Sequence, residues 1–175
     1  MSTIEYSQPT ILIYRDSISC NVGVCYCQHK PIIFEYNQPP LLAVFLQPSL
    51  DMQKTVNHIH AHQNMAINQL ARTVIKLWVA HHQSSCHILL IDAQRTLEVS
   101  LHDGIIDHAQ NPLAFGPCND YATASSKALG QMPKQPRHYI SGHDIVQKAL
   151  LICTDIAVLN KTIVGIKTIP NQPQH

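Results

Sequence analysis

Charge is scarce in this chain. Asp, Glu, Lys and Arg make up 13% of its 175 residues, against about 25% in an average globular protein. Twelve basic and eleven acidic side chains nearly cancel, leaving a formal net charge of +1, so no overall field draws a nucleic acid or an anionic membrane. A surface so short of charge points to an obligate interface, because interface cores are depleted of charged residues. A compositional bias is the other reading, since Gln, Asn and His fill many of the polar positions.

Other absences narrow the field. No run reaches 18 apolar residues, so no stretch reads as a membrane-spanning helix. The first thirty residues lack the basic start and apolar run of a secretory signal. Six cysteines in such a chain indicate an intracellular, reducing compartment. Cys20, Cys25 and Cys27 have the spacing C-x4-C-x-C, which is no structural zinc pattern, and are expected as small buried residues. Neither Gly23 nor Gly104 stands in a G-x-G-x-x-G or P-loop context.

The chain has the length of one domain, spanning residues 1–169, with 170–175 as a polar tail. Strands come first. Ile4 to Tyr6, Thr10 to Tyr14, Val22 to Cys27, Pro31 to Tyr36 and Leu41 to Leu46 are short runs rich in β-branched and aromatic residues, separated by turn residues. Their close spacing implies antiparallel hairpins. From Ser49 to about Gln83 the period changes: Met52, Val56 and Ile59, then Ile67, Leu70, Ala71, Val74, Leu77 and Trp78, recur at three and four, as two helices require.

A second β stretch covers residues 87 to 101, with turns at Asp92 to Arg95 and at His102 to Gly104, before the short run 113 to 116. NDYATASSKALG then reads as a helix with small side chains, Gly130 being its expected C-cap. Ser141 and Asp144 form a capping box for a further helix whose buried face is Ile145, Val146, Ala149, Leu150, Ile152 and Cys153. A strand from Thr162 to Ile169 closes the domain. This order predicts an α+β fold, a four-layer α-β-β-α sandwich of two packed antiparallel sheets with a helix pair outside each.

Four stretches carry a resemblance. AFGPCNDYATASSKAL, residues 114–129, resembles the loop and helix A-I-G-S-G-G-x-Y-A-x-A-A-A-x-A-L of the HslV peptidases, bacterial relatives of proteasome β-subunits. KALLICTDIAVLNKTI, residues 148–163, is similar to that family's A-L-x-I-A-x-D-I-x-I-Y-T-N. The opening STIEY and the EYNQPPLLAVF stretch fall in order against the family's start. The resemblance runs from Ser2 to Ile169. It implies the N-terminal nucleophile hydrolase fold, assembled as stacked hexameric rings that work with the ATPase HslU.

That family's chemistry needs an N-terminal Thr whose own α-amine serves as base, with a pKa near 8 and so close to working pH. A lysine, an aspartate and an oxyanion hole of backbone N–H donors complete the site. By the resemblance Ser2 falls on the nucleophile, Asp16 on the aspartate, and Lys30 beside the functional lysine, whose own place is Pro31. Two adjacent glycines of the family fall on Gln47 and Pro48, and Pro48 has no N–H to donate. The serine neighbouring the nucleophile falls on Pro117, and the glycines after it on Cys118 and Asn119. The family's ion-binding turn falls on Thr154, Ala157 and Asn160, where carbonyls can hold a monovalent or divalent cation or form a plain helix exit. No other cofactor is implied.

Nucleophile, base and oxyanion hole act as a unit, and several of their places are altered here. The expected function is a catalytically inactive, structural HslV-like subunit of a larger protein assembly. The alternative is an active N-terminal serine peptidase of an HslU-dependent ring, which must expose a free Ser2 amine after loss of Met1. The family's compartments are the bacterial cytoplasm and the mitochondrial matrix. Apart from this, His58 and His62 lie four apart on a helix, a spacing that chelates a metal or simply forms a solvated or interface face.

Overall fold

The structure, a computed structural model, describes residues 8–26, 30–37, 39–47, 52–81, 86–132, 140–156 and 163–171. Its elements in chain order are β1 (Thr10–Arg15), β2 (Ser19–Tyr26), β3 (Ile32–Asn37), β4 (Pro40–Gln47), α1 (Met52–Ala61), α2 (Ile67–Ala80), β5 (His87–Ile91), β6 (Thr96–Ser100), β7 (Gly104–His108), β8 (Leu113–Phe115), α3 (Asn119–Gly130), α4 (Gly142–Ile156) and β9 (Ile163–Pro170). They fall into two compact units, residues 1–30 with 110–175, and residues 31–109. The expected strand at Ile4 to Tyr6 lies outside the described residues.

The first unit is an antiparallel sheet of order β8-β1-β2-β9 with α3 and α4 packed on it. β1 is central: Thr10 pairs with Cys25 and Arg15 with Cys20 on one side, Ile11 with Phe115 and Ile13 with Leu113 on the other. Leu12 and Cys25 meet Ala122 of α3 and Val146, Ala149, Leu150 and Cys153 of α4 in one apolar cluster. The 3.6-residue period explains the α4 face, since 145, 146, 149, 150 and 153 share one side of a helix. Ile152 falls outside that stripe and is 38% exposed, which corrects its assignment to the buried face. In α3 only Ala122 and Ser126 are buried. Gly130 is the last residue of α3 rather than its cap; Gln131 caps the helix with ordinary right-handed dihedrals.

The second unit is an antiparallel sheet of order β3-β4-β5-β6-β7, covered by α1 and α2. The expected apolar stripe is present. Val56 and Ile59 of α1 and Ile67, Leu70, Ala71, Val74 and Trp78 of α2 are buried against Phe45, Ile88, Leu90, Leu97 and Val99. Local pairing holds within β1–β2 and β3–β4. It fails between β2 and β3, where the chain passes from one sheet to the other. Five cysteines, Cys20, Cys25, Cys86, Cys118 and Cys153, are buried; Cys27 lies outside the described residues.

Candidate functional site

The resemblance assigns chemistry to two places that the fold separates along β1. At the start of the strand stands the loop after β8. Antiparallel pairing of Phe115 with Ile11 brings Gly116 beside Thr10. Gly116 adopts φ +105°, a left-handed conformation that disfavours L side chains, and a Cβ there would lie 2.9 Å from Thr10 Cα and against the Pro9 carbonyl. The Asn119 N–H donates to the Gly116 carbonyl at 3.2 Å, closing the turn. The Cys118 N–H donates to Thr10 Oγ1 at 3.3 Å. Thr10 is 4% exposed, so its hydroxyl is both buried and engaged.

Behind this loop the Cys153 thiol points to the Cys118 carbonyl at 3.9 Å. Burial, and next the neighbouring Cys118, push the Cys153 thiol up to about 11. It is therefore protonated at neutral pH and a poor nucleophile, since the thiolate is the reactive form.

At the other end of β1, the turn into β2 is organised by Asp16. Its Oδ1 accepts from the Ile18 and Ser19 N–H groups at 2.9 and 2.8 Å and from Ser19 Oγ at 3.2 Å. Its Oδ2 accepts from the Gly142 N–H at 3.1 Å. The first set is the local turn that Asp favours. The second caps the N-terminus of α4, where a negative charge meets the positive end of the helix dipole. Ser141 shares the capping, its Oγ accepting from the Asp144 N–H at 3.2 Å. Gly142 permits the approach, because a Cβ there would sit 2.6 Å from Asp16 Oδ2 and against the Asn21 amide. Asn21 is fully buried and bonded to Ser19 and Thr168. Asn111 bonds both backbone groups of Arg15, and Asn171 donates to the Ile18 and Ser17 carbonyls.

The sequence reading grouped Asp16 with the Pro117 loop. The structure places them at opposite ends of β1, roughly 20 Å apart at about 3.4 Å per residue. Lys30 is described and exposed. Ser2, Pro48, Ala157 and Asn160 lie outside the described residues. Thr154 is in the last turn of α4 and turns its hydroxyl back to the Leu151 carbonyl at 2.7 Å. Among the described residues no group of three or more His, Cys, Asp or Glu converges as a metal site, and no helix is long and apolar enough to cross a membrane. Thr10 and Gly142, which bond Cys118 and Asp16, carry no assignment from the resemblance. The one signal for Thr10 is the run TILIYR, which forms the first described strand.

No family model matches the sequence, and no curated protein matches it. Solved structures do. The crystal structure of eukaryotic HslV from Trypanosoma brucei superposes with a TM-score of 0.61 at 21% identity, covering 93% of this chain and 99% of that one. Thiobacillus denitrificans BPH in complex with epoxomicin superposes with a TM-score of 0.57 at 10% identity, covering 94% and 100%. At these identities the likeness is one of fold. The α+β fold, two antiparallel sheets each with its helices, is shared with both.

Proposed function

Taking the HslV and proteasome β-type fold as premise, we propose that this chain is a catalytically inactive HslV-like subunit with a structural role in a larger protein assembly. The observation that carries this reading is the surroundings of Thr10. The loop that the resemblance sets beside the nucleophile lies against Pro9 and Thr10. The Thr10 hydroxyl accepts from the Cys118 N–H in a buried position. A working nucleophile needs an accessible hydroxyl instead. The serine place of that loop is Pro117, and both oxygens of Asp16 are occupied by the turn and by α4.

Shortage of charge, at 13% of residues, supports the assembly, since buried interfaces are depleted of charge. The partners of this reading are further protein subunits, with an HslU-like ATPase among them. Its compartment is the mitochondrial matrix or the bacterial cytoplasm, which fluorescent tagging of the full chain tests.

Ser2 favours the second reading, an active peptidase, because a small residue behind Met1 suits methionine removal. Intact-mass measurement of the purified chain, before and after incubation with epoxomicin, separates the two. Retained residues 1–9 and no adduct are expected. A chain beginning at Ser2 or Thr10 that gains the mass of the compound at that residue overturns the proposal.

A further inference from the structure

His58 and His62 take no part in the proposed function. His58 and His62 stand one helical turn apart, at the end of α1 and in the turn after it, with ring centroids 4.3 Å apart and planes inclined by 32°. His62 Nδ1 lies 2.8 Å from the His58 carbonyl oxygen. A carbonyl only accepts, so Nδ1 carries the proton and His62 Nε2 keeps its lone pair. This is the arrangement by which a backbone carbonyl orients a metal-ligating imidazole. His58 Nε2 is buried and has no hydrogen-bond partner among the described residues. Buried polar nitrogens are nearly always satisfied, so this one lacks the group that completes it.

We infer that His58 and His62 form a two-imidazole site for a divalent first-row transition metal ion, with zinc as the natural occupant. Imidazole suits this class of ion, and residues four apart on a helix face the same side. The carbonyl bond holds His62 in the tautomer whose Nε2 is free to bind the ion. Two protein ligands leave the remaining positions to water. His60, two residues from each, lies on another side of the helix, facing the ring of Tyr36 at 6.4 Å, and is not a ligand.

Calorimetric titration of the metal-free full chain with zinc chloride tests this. The expected result is one equivalent bound at neutral pH. His58→Gln and His62→Gln each weaken that binding at least tenfold, while His62→Cys retains it because the thiolate is also a zinc ligand. His102→Gln, at a histidine whose side chain is 91% exposed, leaves binding unchanged. Protonation competes with the metal, so affinity falls in acid. Thermal melts guard against a variant that fails to fold: zinc raises the melting temperature of the parent and not that of the doubly substituted chain. Absence of saturable binding, or equal binding in the parent and both glutamine variants, overturns the proposal.

Discussion

Trp78 is fully buried, and its indole N–H donates to Thr55 Oγ1 at 2.9 Å, with Thr55 itself 0% exposed. Thr55→Val keeps the shape of the acceptor and removes its oxygen, leaving the indole N–H unsatisfied. The expected cost is about 1–3 kcal/mol, seen as a lower urea midpoint with an unchanged slope. Two buried acids set the alkaline limit. Burial raises Tyr36 from 10.0 to about 12, and Cys153 goes from 9.0 to about 11. The fold favours both protonated forms, so their stabilisation is complete below the unfolded values and lost as pH rises through the folded ones. Melting temperature is expected to fall from about pH 9 onward. Tyr36→Phe removes the part of that loss that lies toward pH 12, though it also loses the bond from Tyr36 Oη to the Val56 carbonyl.

Helix α4 shows what an element adds to its residues. Leu150 is 0% exposed and packs in the apolar cluster of the first unit, while the adjacent Leu151 is 47% exposed. Leu150→Ala is expected to cost about 2–5 kcal/mol, and Leu151→Ala to change stability by about 0.5 kcal/mol or less; chemical denaturation of the two variants reads the difference. The N-terminus of α4 is joined to the β1–β2 turn through Asp16 and Gly142. Gly142→Ala crowds Asp16 Oδ2 and Asn21 and is expected to destabilise by about 1–3 kcal/mol. Asp16→Ala removes the acceptor of the Ile18, Ser19 and Gly142 N–H groups, with a loss of about 1–2 kcal/mol. Because the two positions touch, the double variant is expected to cost less than the sum of the two.

At the scale of the whole molecule, the full chain is expected to scatter light as an oligomer; a well-behaved monomer at high concentration counts against the assembly role. The fold class was readable from the sequence because periodicity is local. A period of two marks strands and 3.6 marks helices, and these gave the order of elements and the buried faces of α1 and α2. Gly130 and Ile152 were misplaced for reasons equally local: a glycine near a helix end need not be its cap, and a stripe's edge is blurred by one residue. The site was less legible. Ser2, Asp16 and Pro117 were joined by a resemblance that runs along the chain, whereas proximity is set by strand register. Pairing of Ile11 with Phe115 puts Thr10 within hydrogen-bonding distance of Cys118, 108 residues away, and sends Asp16 to the far end of the same strand. Local chemistry chose each strand and helix. Only the pairing of distant strands decided which side chains share a place, because hydrogen bonds between strands depend on a register that no single segment contains.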